Sequence, residues 1–206
     1  MHTRDSLPVL AGRHALVTGA NRGIGAAIAR ALSVAGGGGG SAGVRLIDLA
    51  LAWPLGPDRA AWPPATDAGT PFLGICVGLQ MMFDASEEMG VHEGLGLLAG
   101  RVQAVPAVGS DGVPHRIPHI GWRPLERARQ SWEGSVLADL QPRERVYFVH
   151  SFAAQPVDPG VRLANVDYDG VSICAAVHHG NLHGCQFHPE RSALPGLAML
   201  RRFLAL

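Results

Sequence analysis

Pro71-Phe72-Leu73-Gly74-Ile75-Cys76-Val77-Gly78-Leu79-Gln80 is the stretch from which the architecture follows. An apolar run of strand length enters a Gly-X-Cys-X-Gly turn, and helical spacing resumes after it. The pattern predicts strand, sharp turn and helix, a nucleophile elbow with Cys76 on the bend. Gly74 and Gly78 flank the cysteine because such a turn crowds the backbone, and a β-carbon at either place would collide with neighbouring chain. Cys76 falls at a helix N-terminus, where the dipole favours thiolate. The Val77 N–H points the same way and is a candidate oxyanion donor. The competing reading is a small buried hydrophobe at a strand end, which free cysteine often is.

Upstream, residues 15–17 read as a short buried strand, 18–25 as a Gly-rich turn and 26–35 as a helix. A run of glycines with one serine and one alanine fills 36–43, a flexible connector that neither helix nor strand holds cheaply. Residues 44–51 suit a second buried strand. Four prolines make 52–69 irregular. Downstream, 71–75 is a strand, 78–85 a helix, and 98–106, 147–152, 163–168, 173–178 and 183–187 are strand candidates. Residues 197–206 form an amphipathic C-terminal helix. The alternation in the first half predicts a three-layer α/β fold of flavodoxin-like type, with a mostly parallel sheet and an antiparallel extension. The whole chain, 1–206, reads as one domain.

Composition closes off several classes. The 206 residues are 47% hydrophobic and 17% charged, with formal net charge zero, so a real core is available and no basic stripe invites nucleic acid. Apolar runs are broken well short of the ~18 residues a membrane span needs. Residues 1–10 lack the hydrophobic region of a signal peptide. Three cysteines make a poor disulfide framework and are not spaced for zinc, so a reducing cytoplasm is expected, with no metal. All seventeen basic residues are arginine, which removes any mechanism that needs lysine.

The second chemical signal is Gly184-Cys-Gln-Phe-His-Pro-Glu-Arg-Ser192. A thiol nucleophile needs an imidazole base, and the imidazole needs an acceptor to fix its tautomer. His188 and Glu190, two apart at a strand end and stiffened by Pro189, can reach one pocket. Most of the ten histidines must be structural, and Cys174 and Cys185 are read as core packing.

Gly-Ile-Cys-Val-Gly-Leu-Gln and Gln-Phe-His-Pro-Glu-Arg-Ser, about 110 residues apart, resemble the two signatures of class I glutamine amidotransferases. That resemblance implies hydrolysis of L-glutamine to glutamate and ammonia through a thioester on Cys76, with no cofactor. Three further segments narrow it: Leu79 to Glu88 followed by Gly94 to Gly100, Ile117-Pro-His-Ile-Gly-Trp-Arg-Pro124, and Val146-Tyr-Phe-Val-His-Ser-Phe152. They resemble the histidine-pathway glutaminase, the ammonia-producing subunit of imidazole glycerol phosphate synthase. The resemblance covers roughly residues 71–206. It implies that Gln80 and Glu88 bind polar groups of glutamine and that Ser151 and Phe152 contact it through the backbone. It also puts Pro118 to Trp122 near a partner, the (β/α)8-barrel cyclase subunit that consumes the ammonia. An ordinary core aromatic is the alternative for Trp122.

The first third departs from that pattern. The Asp-Tyr-Gly-x-Gly-Asn segment and the Pro-Gly-Val-Gly loop of the resembled family are missing. Leu16-Val-Thr-Gly-Ala-Asn-Arg-Gly-Ile-Gly25, within a strand–turn–helix unit at 9–35, is instead similar to the nucleotide-binding turn of short-chain dehydrogenases. Gly19, Gly23 and Gly25 would approach a pyrophosphate and Asp48 a ribose. Dehydrogenase catalysis fails, because that family needs a Tyr-x-x-x-Lys pair and lysine is absent. The missing loop would supply the second oxyanion donor, and Gly56 is the nearest substitute. Three readings follow: an ammonia-supplying glutaminase, weakened by the altered first third; an NAD(P)-binding module; and an inactive mosaic with a relict site.

Overall fold

The computed structural model describes residues 71–206 and residue 69, with two short upstream strands, His14–Val17 (β1) and Arg45–Ile47 (β2). The strand before the cysteine is Phe72–Ile75 (β3), and the last strand is Leu182–Cys185 (β13). β1 and β13 both pair with β3 in parallel, one on each side. β3 is thus a central strand, and its side chains are buried in a core on each face, which is why it is an unbroken apolar run without polar alternation. Beyond β13 come Val171–His179 (β12), Arg162–Tyr168 (β11) and Glu126–Arg127 (β8). The order of the seven-stranded sheet is β2-β1-β3-β13-β12-β11-β8. Its first half is parallel, and β12, β11 and β8 are antiparallel to their neighbours. The antiparallel share is larger than a sequence reading of a mostly parallel sheet implies.

Two smaller sheets flank it. One contains Phe83–Ser86 (β4), His92–Glu93 (β5), Leu98–Ala104 (β6) and Phe152–Pro156 (β10). The other pairs His119–Pro124 (β7) with Arg145–His150 (β9). Side chains alternate across β3 as a strand requires. Leu73 and Ile75 enter a core with Phe148, Phe187 and Phe203, while Phe72 enters a second core with Leu79, Met82 and Phe83.

The helix after the cysteine is short. It covers Val77–Met81 (α1), and the expected continuation to 85 is instead strand β4. The chain leaves the helix because other partners take its backbone. Leu95 N–H bonds Met81 O, Leu97 and Leu98 bond Met82 O, and Gly96 bonds Phe83 O. Gly94 lies so close that a β-carbon there would come within 2.0 Å of Phe83 O. The strand expected over 147–152 breaks at Ser151, whose carbonyl accepts from Val105 N, so two strands belong to two sheets. Ala193–Ala205 (α2) starts earlier than the predicted 197. The Gly-rich segment at 36–43, and the turn and helix expected over 18–35, lie outside the described residues.

The glycine reading of the elbow holds at Gly74. A β-carbon there would sit 2.6 Å from Gly78 O and 2.8 Å from Leu79 N, both backbone atoms that cannot swing away. Gly74→Ala is expected to destabilise the fold by about 1–3 kcal/mol. Urea unfolding checks this, and an unchanged midpoint would show that β3 and α1 pack less closely than described.

Candidate active site

Cys76 occupies the turn between β3 and α1 with φ 54 and ψ −111. A non-glycine residue with positive φ costs of order 1–3 kcal/mol and persists only where its surroundings over-determine it. Here they do: Cys76 N–H donates to Cys185 O at 2.8 Å, and Gln80 N–H donates to Cys76 O at 3.2 Å. Cys76 is 8% exposed. Val77, the first residue of α1, carries one of the helix-end N–H groups that no turn of the helix satisfies.

His188 arrives from the neighbouring strand. Its N–H donates to Tyr147 O at 2.9 Å, and its carbonyl accepts from Ser192 Oγ at 2.6 Å. Pro189–Arg191 forms a single 3-10 turn, stacked through the Arg191 guanidinium on the Tyr147 ring at 4.0 Å. The turn brings Glu190 Oε1 to 2.6 Å from His188 Nδ1. A carboxylate can only accept, so Nδ1 carries the proton and Nε2 is the nitrogen left free of Glu190. Nε2 is buried and makes no hydrogen bond of proper geometry, although the Cys76 sulfur is near enough to act on the ring's charge. Burial alone would lower the imidazole pKa. The close Cys76 sulfur and the hydrogen-bonded, charged Glu190 overcome it and raise the value from 6.5 to about 10. The imidazole is thus protonated at neutral pH, beside the Cys76 sulfur.

A cavity of about 270 Å³ opens next to the elbow, lined by Val77, Gln80, Ser86, Glu88, Met89 and His92. Glu88 is exposed on its wall, its N–H donating to Ser86 Oγ at 3.2 Å. Gln80 is buried. Its Nε2 meets Phe152 O at 3.0 Å and Gln186 Oε1 at 3.1 Å, so both amide hydrogens are committed and only its Oε1 remains for a ligand. Phe152 O also accepts from His150 Nδ1 at 2.9 Å, and Ser151 O is taken by Val105 N. Burial first, then the charge of His188, lowers His150 to about 4, despite its bond to Phe152 O. Neutral His150 therefore accepts at Nε2 from His119 Nδ1, 3.0 Å away. Among the described residues no group of His, Cys, Asp or Glu could hold a metal ion.

A family model described as glutamine amidotransferase class-I matches residues 56–206. The chain belongs to the class-I glutamine amidotransferase family. It is 49% identical over 141 residues to imidazole glycerol phosphate synthase subunit HisH 1 of Legionella pneumophila (strain Lens), covering 68% of this chain and 66% of that protein. It is 46% identical over 142 residues to subunit HisH of Geobacillus thermodenitrificans (strain NG80-2), covering 69% of this chain and 64% of that one. The chain thus matches a little under two thirds of the length of these relatives. Among solved structures it resembles a putative GMP synthase component from Thermoplasma acidophilum, with TM-score 0.56 and 14% identity, over 94% of this chain and 92% of that one. PurLQS from Thermotoga maritima is similar at TM-score 0.56 and 16% identity, over 94% and 98%. These two likenesses speak to the fold, and they agree with the α/β expectation.

The structure brings Cys76, Val77, His188 and Glu190 to one end of β3 and β13, with Gln80 and Glu88 on the wall of the adjoining cavity and Phe152 O bonded to Gln80. Gly19, Gly23, Gly25, Asp48 and Gly56 lie outside the described residues. Trp122 is not a core aromatic: it is 41% exposed, and Ile120 on the same strand is 50% exposed. Sequence reasoning misses Gln186, whose Nε2 stands 3.7 Å from Cys76 Sγ. Its place inside the quoted histidine segment is the available signal.

The His188 shift has a direction that stability should follow. A folded pKa near 10 above an unfolded 6.5 gives stabilisation that is full below 6.5 and lost as pH rises through about 10. Glu190→Gln removes part of it. The stability gap between parent and variant should be widest near pH 6.5 and narrow above pH 10, measured by urea unfolding across pH. A gap that widens with pH would contradict the protonated pair.

Proposed function

We propose that the chain is a glutaminase that hydrolyses L-glutamine to glutamate and ammonia through a thioester on Cys76. The observation that carries this reading is a strained cysteine turn served by an imidazole whose Nδ1 is held at 2.6 Å by a carboxylate. Cys76 Sγ, as thiolate, attacks the carboxamide carbon of glutamine. The oxygen of the tetrahedral intermediate takes the Val77 N–H as donor. His188 gives its Nε2 proton to the departing ammonia, leaving the acyl group on sulfur. The now neutral His188 then takes a proton from water, the hydroxide adds to the thioester carbonyl, and Cys76 leaves as thiolate with glutamate released. Glu190 holds the ring in place throughout and stabilises its charge whenever Nε2 carries a proton. Glu88, exposed on the cavity wall, suits the α-amino group of glutamine, with Gln80 on the same wall; the backbone at Ser151 and Phe152, the latter bonded to Gln80, is read as a further contact.

The similarity to imidazole glycerol phosphate synthase subunits supports a finer reading. In it, the ammonia passes to a (β/α)8-barrel cyclase subunit in histidine biosynthesis, in a reducing cytoplasm that suits three free cysteines. The exposed Ile120 and Trp122 on β7 give an apolar face for that partner. Residues 9–35 are read as a dehydrogenase-like strand–turn–helix that fills the place of the first strand and helix of the sheet, and 36–43 as a linker, within one domain. If Gly56 does not replace that donor, turnover falls by ~10²–10³.

Cys76→Ala should abolish glutamate release, measured with and without the cyclase subunit, and a glutamine-like electrophile should label Cys76 in the parent. Unchanged activity in Cys76→Ala would refute the reading.

A further inference from the structure

Gln186 is fully buried two residues before His188, and no step of the mechanism above uses it. Its backbone extends the strand pairing past the end of β13, with N–H donating to Ala175 O at 2.9 Å. Its side chain points at the elbow: Nε2 is 3.7 Å from Cys76 Sγ, within hydrogen-bond range for sulfur, and Oε1 is 3.1 Å from Gln80 Nε2.

The orientation of this amide follows from its neighbours. Phe152 O can only accept, so the group of Gln80 that meets it at 3.0 Å is its NH₂. The same NH₂ therefore donates to Gln186, and the end of Gln186 facing Gln80 must be its oxygen. The end facing Cys76 is then an amide donor. A buried amide N–H left without an acceptor costs more than a bond gained. Ionised sulfur is a far better acceptor than a thiol, because hydrogen bonds to charged groups are roughly twice as strong.

Resting on the reading of Cys76 as nucleophile, we propose that Gln186 is a further catalytic residue: an uncharged donor that hydrogen-bonds the Cys76 thiolate alongside His188. The two donors differ in kind. His188 must surrender its proton to ammonia and regain one from water. Gln186 keeps its N–H throughout, so the sulfur retains a fixed donor when it attacks and again when it leaves the thioester. Gln80 sets the direction of that donor, which gives Gln80 a positioning role besides its place on the cavity wall.

The test is alkylation of Cys76 by iodoacetamide, a probe too small to need the glutamine site, followed across pH in the full-length parent, Gln186→Leu and Gln186→Glu. Loss of the donor should move the pH profile upward by about one unit and slow alkylation ~10-fold at neutral pH. Gln186→Glu, nearly the same shape but repelling a thiolate, should move it further. A purely structural role would leave the profile of an uncharged folded variant in place. Circular dichroism verifies folding, and Gln186→Met, close in shape and without a donor, decides the matter if Gln186→Leu does not fold. A Gln186→Glu profile that coincides with the parent's overturns the proposal while leaving the nucleophile intact. A parent in which Cys76 resists alkylation at every pH would remove the nucleophile and the proposal together.

Discussion

Everything at this site depends on the backbone of one residue being held where it would not go by itself. Cys76 sits at φ 54, fixed by Cys185 O on one side and the first turn of α1 on the other. Gly74 permits it, because the Gly78 carbonyl occupies the space a side chain would need. The parallel register that sets Cys185 against Ile75 has a second effect. The chain leaving β13 passes beside the same turn, so Gln186 and His188 approach the sulfur directly from the end of a paired strand. Sites carried on sheet ends in this way are held more tightly than sites on loops.

Charge is managed by contrast among buried histidines. His119, His150 and His183 are pushed down to about 3, 4 and 3, with burial as the largest cause in each. They remain neutral and act as fixed donors and acceptors, as in the His119–His150–Phe152 chain. His188 is also largely buried, yet it rises to about 10 because the Cys76 sulfur and the Glu190 carboxylate lie against it. Protonation of this one ring is therefore sustained by specific neighbours, while apolar surroundings keep the others uncharged. The neutral His150 in turn holds the Phe152 carbonyl, to which Gln80 and then Gln186 are tied.

Local patterns are legible in the sequence. The elbow can be read from Gly74, Cys76 and Gly78 alone, and the His188–Glu190 pair from a two-residue spacing, since each is decided by neighbours in the chain. The run Met81-Met82-Phe83 reads equally well as more helix, and only bonds from residues 95–98 turn it into β4. Strand β7 is visible as a motif but not as a strand, because its partner β9 lies a long loop away. Gln186 escapes notice for the same reason: its role depends on Cys76, 110 positions earlier. The glycine turn near Gly19 and the candidate donor Gly56 are readable as patterns, and they fall outside the described residues.

The central claim is that the Cys76 sulfur and the His188 ring are coupled. The most direct measurement is an NMR titration of the His188 ring in the parent and in Cys76→Ala. The account predicts a midpoint near 10 in the parent and a clearly lower one once the sulfur is gone. A midpoint close to 6.5 in both proteins would contradict it.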